Sequence, residues 1–237
     1  NYTEFTGRLI ANGVSSEKDG SLLLFNSGSV TMPNAVIEAT GNTRLASWET
    51  NSNLKIGGLS GTSKTYLSGS SKKTKGFTCT WTVGSANTNE TFAGKINNWA
   101  AGGSGYQGTV SITKTGTGYW RLTGNNDYKG ITNVLKGNLI VNGTNSGTGA
   151  VNVMKDAILS GKGSIAGIVR IYEGGKLQAG DVEEGANGAR LTLKGNLEVR
   201  SGGVVSLLTD GSSYNTISAG SVTLEDEAVI QIGDEAD

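Results

Sequence analysis

The chain has 237 residues, with 20 Lys and Arg against 20 Asp and Glu, no His, one Cys and one Pro. Balanced charge argues against bulk attraction to nucleic acid or an anionic membrane. The absence of His removes Ser-His-Asp triads, Cys-His dyads, His general bases and His-ligated zinc. A lone cysteine, Cys79, rules out an intrachain disulfide and a Cys-rich metal site.

Thirty-eight glycines sit among 24 Ser, 26 Thr and 21 Asn. Gly at about twice its usual ~7% share disfavours helix, because each interior Gly costs roughly 0.8–1 kcal/mol relative to Ala. Disorder is disfavoured too, since Val, Ile, Leu and Thr recur in short alternating runs with aromatic residues among them. No apolar run approaches the ~18 residues that span a bilayer. The expectation is a soluble all-β chain. Asn1 is not an initiator Met and no signal peptide follows it, while the last residues come straight after a strand-like run. A fragment of a longer protein is expected, here a single domain over residues 1–237.

In chain order, Ser21–Phe25, Leu54–Ile56, Phe77–Val83 and Val110–Lys114 suit strands. Within the third, Thr78, Thr80 and Thr82 alternate with Phe77, Cys79, Trp81 and Val83, which turns Cys79 inward. Residues 68–75 read as a solvated basic loop and residues 99–106 as a flexible Gly-rich one. Residues 1–100 are the less regular part. From 110 to 232 a repeat is visible: Val134–Leu139 is echoed by Val153–Ile158, Ile171–Leu177, Val199–Val204 and Val222–Val229. The units lie roughly 18–28 residues apart, the range of one β-solenoid coil, and the longest gap holds a loop at residues 179–188. A lone coil cannot offset its ordering entropy, so such units must stack. The competing reading, a Gly-rich sandwich, would show two-residue hairpins, for which Asn142–Gly143 is one candidate.

Residues 116–143 read GTGYWRLTGNNDYKGITNVLKGNLIVNG. This segment resembles the passenger-associated transport repeat (autotransporter-associated β-strand repeat) of bacterial autotransporter-type proteins. The resemblance rests on Gly116, Gly118, Leu122, Gly124, Asn125, Asn126, Tyr128, Gly130, Val134, Gly137, Leu139, Val141, Asn142 and Gly143. The likeness is good over about residues 54–232 and faint before that. Two departures stand out: Trp120 and Arg121 replace small polar and aliphatic residues, and Ala179-Gly180-Asp181 stands where a Pro-Gly is usual. The resemblance implies a right-handed single-stranded parallel β-helix, secretion to the bacterial cell surface, and a scaffold or adhesive role with no catalytic residue to carry across.

Carboxylates are the only enzyme-like signal. Glu183 and Glu184 adjoin each other in a loop, and Glu225, Asp226 and Glu227 form an acidic turn. Glycoside hydrolysis needs two carboxyls ~5–10 Å apart on rigid elements, which neighbours on a loop do not supply. Arg170, Arg190, Arg200, Lys155, Lys176 and Lys194 are scattered singly, unlike the clefts of β-helical polysaccharide lyases. No catalytic site, metal or cofactor is expected. Asn125, Asn126, Asn138, Asn142, Asn152 and Asn196 fall at expected corners, where stacked Asn can bond to one another.

Aromatics give the better binding signal. Trp99 and Tyr106 flank a Gly loop, and Tyr119, Trp120 and Arg121 share one strand; planar rings on a sheet face can stack on a sugar or anchor a protein. Trp48, Trp81 and Tyr128 read instead as core or end-covering residues. The sequence therefore leads to a non-catalytic surface scaffold or adhesin-like stalk, a monomer or weak dimer. It would contact an extracellular surface or glycan and the rest of its own polypeptide, with no nucleic acid as partner and no membrane contact by this segment. A carbohydrate-binding or polysaccharide-processing module is the alternative.

Overall fold

The computed structural model describes residues 3–14, 21–72, 75–100, 108–181, 188–209 and 212–233. Twenty-six strands and no helix occur among them. Every ladder between named strands is parallel. The chain winds through three faces in turn, and each coil pairs with the one before. The architecture is a parallel β-helix.

The first face stacks residues 29–32 and 51–56 with Thr78–Val83, Thr109–Lys114, Thr132–Val134, Val151–Val153, Val169–Ile171, Leu197–Val199 and Val222–Leu224. The second begins with Arg8–Gly13 on residues 36–41 and 58–61. It continues through Glu90–Phe92, Tyr119–Leu122, Gly137–Val141, Ala157–Ser160, Lys176–Gln178, Val204–Leu208 and Val229–Gly233. Two long strands, Ser29–Gly41 and Asn51–Gly61, run through the corner and join these faces into one 17-stranded ladder. The third face consists of a four-stranded ladder, Ser21–Phe25 to Lys95–Ile96, and a five-stranded one, Asn125–Asn126 to Thr216–Ser218. Between the two, the Asn126 side chain accepts from the Ile96 N–H at 2.8 Å, replacing a backbone partner.

Strict alternation produces the interior. On the first face Ile56, Val83, Lys114, Val134, Val153, Ile171, Val199 and Leu224 occupy successive registers. On the second, Trp120, Leu139, Leu159, Leu177, Val205 and Ile230 do the same. The repeat is therefore real, but its register differs by one in three units. Leu159, Val205 and Ile230 hold the positions expected of Ile158, Val204 and Val229, while Leu224, two residues on from Val222, stands in the Val199 column. The cause is turn length: two side chains of similar size compete for each inward slot, and the turn before the strand decides which enters.

Further expectations change with the coordinates. Asn142–Gly143 is not a hairpin; it turns the chain from the second face to the third. Ser68 and Ser70, expected in a solvated loop, are buried in the Tyr66–Ser70 strand. Of that stretch, Lys73 and Thr74 lie outside the described residues. Trp48 is 43% exposed, not a core residue. Insertions fall at turns, where they leave the ladders intact. At the corner between first and second faces, Gly116 adopts φ +71, and a Cβ there would collide with the Gly84 carbonyl oxygen, so only Gly fits.

The register makes a paired prediction. Leu159→Asp should cost roughly 3–5 kcal/mol, because it buries an unpaired charge in the aliphatic column. Ile158→Asp, one residue away and only half-buried, should cost far less. Leu139→Asp and Val153→Asp should behave as Leu159→Asp, and Lys136→Asp should cost under about 1 kcal/mol. Urea denaturation of each variant tests the register. Equal losses at 158 and 159 would refute it.

Candidate functional sites on the lateral faces

The Tyr119–Leu122 strand places Trp120 and Leu122 inward and Tyr119 and Arg121 outward. Trp120, expected on a binding surface, is 1% exposed. Its indole Nε1 donates to the Leu59 carbonyl at 2.9 Å and its ring packs 6.5 Å from Phe92. It is a core residue, not a surface contact. Leu122 carried the missed signal, since alternation from a Leu turned inward takes Trp120 inward with it. Trp81 is held the same way, by Nε1 on the Ser68 carbonyl at 2.9 Å and an edge contact with Phe25 at 5.3 Å. Tyr128 is also interior, with its hydroxyl 2.7 Å from Thr132 Oγ1 and 3.2 Å from Asn145 Nδ2; burial pushes its pKa up to about 12.

Tyr119 and Arg121 form one cluster on the second face. The guanidinium lies 4.6 Å from the Tyr119 ring centroid and grips Asp181 with two hydrogen bonds, Nε to Oδ2 at 2.6 Å and Nη2 to Oδ1 at 2.8 Å. Asn142 Nδ2 donates to the same Oδ2 at 2.8 Å. The hydrogen bond with Asp181 is the main reason the Arg121 pKa rises above the usual guanidinium range. Thus the two departures from the repeat pattern, Arg121 and Asp181, are partners. Sequence alone could not pair them, because 60 residues separate them.

Trp99 lies elsewhere, beyond the end of the third face. Arg44, only 3% exposed, places its guanidinium carbon 4.2 Å from the Tyr66 ring centroid and 4.3 Å from that of Trp99. Arg44 Nη1 also donates to Ser68 Oγ at 2.7 Å, and Ser68 donates to Asn97 Oδ1 at 2.9 Å. Trp99 and Tyr66 keep intermediate exposure, so two rings are oriented by one cation on an accessible face. Tyr106 lies outside the described residues, as do Glu183 and Glu184.

Other polar groups are structural in geometry. Arg170, Glu198, Arg200 and Glu225 form an ion-pair ladder: Arg170 Nε to Glu198 Oε2 at 2.9 Å, Arg200 Nη2 to Glu198 at 2.6 Å, and Arg200 Nη1 to Glu225. The arginines are not all isolated, as the sequence suggested. The side-chain bond from Arg200 holds the Glu225 carboxyl below its ordinary pKa. Asn152 Nδ2 donates to Asn133 Oδ1 at 3.0 Å, an Asn–Asn contact between coils, whereas Asn138 and Asn142 bond to Ser160 and Asp181. Among the described residues no three of His, Cys, Asp and Glu gather to hold a metal. A cleft of about 290 Å³ beside the last coil is lined by apolar residues including Leu207, Leu208, Tyr214, Ile217 and Ile232. Among the described residues no carboxylate lines it.

Lys114 was read in sequence only as a strand end. It is 1% exposed in a column of aliphatics, with Nζ donating to the carbonyls of Thr115, Gly116 and Lys136 at 2.7, 2.9 and 3.1 Å. Alternation after Val110 and Ile112 is the signal that could have found it. Burial lowers its pKa from 10.5 to about 8. Between about pH 8 and 10.5 the unfolded chain thus binds more protons at this site than the folded one, so the Lys114 contribution to stability should rise with pH across that window, opposed above about pH 9 by the raised Cys79 thiol. Lys114→Met should abolish that rise, measured as denaturation midpoints at pH 7.5, 9 and 10. An unchanged pH slope in the variant would place the effect elsewhere.

These features define the class: a repeat-built parallel β-helix with ordered aromatic–arginine clusters on its lateral faces. Comparison agrees. Residues 112–141 match the family described as Passenger-associated-transport-repeat. The chain is also 39% identical over 74 residues to the Adhesin BmaC autotransporter of Brucella suis biovar 1 (strain 1330). That match covers 31% of this chain and 2% of the adhesin.

Proposed function

We propose that this chain is a non-catalytic β-helical module of an autotransporter-type adhesin, secreted or held at the bacterial cell surface. Its lateral faces would meet an extracellular surface or glycan. The observation that carries this reading is the three-faced parallel stack whose coils include the passenger repeat at residues 112–141. The adhesin-named relative supports the same direction. A rigid stack buries its aliphatics inward and leaves its sides free for recognition, while fold by itself confers no chemistry.

A carbohydrate ligand is favoured by one arrangement. Tyr66 and Trp99 are turned by the buried Arg44 and are both partly accessible. An aromatic ring fixed in this way meets the face of a sugar at little entropic cost. In this reading Trp99 is the principal contact, Tyr66 its neighbour, and the Tyr119–Arg121 cluster a second patch on another face.

Glycan arrays and polysaccharide-gel retardation test the proposal. A reproducible ligand should lose at least tenfold in affinity with Trp99→Ala, while the far-UV spectrum keeps its β character. Release of reducing ends from any bound polysaccharide would refute the non-catalytic reading. Binding that survives Trp99→Ala and falls with Tyr119→Ala would move the contact to the second face.

A further inference from the structure

One excursion of the chain is fastened to coils it does not adjoin. After the Lys176–Gln178 strand the backbone leaves the second face, and it re-enters the third at Arg190–Leu193. The base of this excursion is closed by Asn215, itself 1% exposed. Its Nδ2 donates to the Ala179 carbonyl at 3.0 Å and its Oδ1 accepts from the Ala189 N–H at 2.8 Å. Gly180, at φ +94, then folds back and exchanges backbone hydrogen bonds of 2.8 and 2.9 Å with Gly161 in an antiparallel bridge. Asp181 follows, and its carboxylate reaches Arg121 and Asn142.

The strand of Arg121 is separated from Lys176–Gln178 by Gly137–Val141 and Ala157–Ser160. The ion pair therefore skips two coils. Its side chains are 18% exposed on Arg121 and 1% on Asp181, so the contact is largely withdrawn from water. Between the anchors, Ile140 and Ser160 share a register column with Arg121 and face away from the interior. Both are fully buried, although Ile140 does not join the central core cluster. An outward isoleucine without exposure marks a covered sheet face.

We propose that Arg121, Asn142 and Asp181, with Asn215 at the base, form a lateral latch that makes the coils from Tyr119 to Asp181 open as one unit. In a stack stabilised only by neighbours, coils fray singly from an end. A contact that skips coils changes this, because separating any coil within the span must also break the latch. Removing Arg121 takes the facing cation from a carboxylate that is only 1% exposed, which weakens the hold of this excursion, the strap, on the face. Arg121 and Asp181 are positioning residues for the strap.

Native-state hydrogen exchange read by mass spectrometry tests the latch on the whole chain. In the wild type, peptides covering 119–122, 137–141, 157–160 and 176–181 should exchange with one common opening equilibrium. In Arg121→Met, peptides 176–181 and 188–193 should exchange at least tenfold faster, with 119–122 close to wild type. The near-isosteric Asp181→Asn should give the same separation, guarding against a packing defect at 121. Adding it to Arg121→Met should add little, since each removes the same contact. Arg200→Met, which breaks a ladder between adjacent coils, should leave the common opening intact. Unchanged exchange at 176–193 in both latch variants would overturn the proposal. So would equal acceleration of every peptide including 78–83, which would mean general destabilisation.

Discussion

Parallel in-register stacking is the constraint on which everything else here depends. With strands about 4.8 Å apart, each side chain sits on its counterpart in the coils above and below. An inward position is therefore a column, and a column accepts only shapes that can follow one another. Val134, Val153, Ile171 and Val199 show the rule. Lys114 shows its limit: a charged residue enters the same column because its ammonium finds three carbonyls at the corner. The buried indoles show another solution, in which the ring fills the interior and the N–H is satisfied by a backbone oxygen.

The same constraint explains what could be read from the residues. Period-2 runs identify strands, and the Gly-punctuated echoes identify coils, because both are local and both repeat. Ser21–Phe25 emerges with the expected bounds, and the Phe77–Val83 run differs only at its first residue. Which of two adjacent aliphatics turns inward is not local. It depends on the length of the preceding turn, so Ile158 and Leu159 looked equivalent until their partners Lys176 and Leu177 were placed. Contacts along the outside are less legible still. Nothing in the chain announces that Arg121 should meet Asp181, or that Arg44 should lie against both Tyr66 and Trp99. Each requires the winding number of the coil to be known first.

Division of labour among the aromatics follows. Trp81, Trp120 and Tyr128 are interior, whereas Tyr66, Trp99 and Tyr119 lie on the sides, in contact with Arg44 or Arg121. An arginine laid on a ring restrains that ring without covering both its faces, so recognition can proceed with little further ordering. The lateral surfaces of this β-helix are consequently more sharply defined than a coat of flexible polar side chains would be.

Cys79 occupies an inward register between Ser52 and Val110 and is 1% exposed, with burial pushing its thiol up to about 12. Thiolate, not thiol, attacks disulfides and peroxides, so this sulfur is both unreachable and in its unreactive form. In an oxidising milieu a single accessible cysteine would couple copies of the chain in pairs or capture small thiols. Enclosed between coils, Cys79 behaves as a compact hydrophobe, and its thiol gives the redox state of the surroundings no handle on the folded molecule.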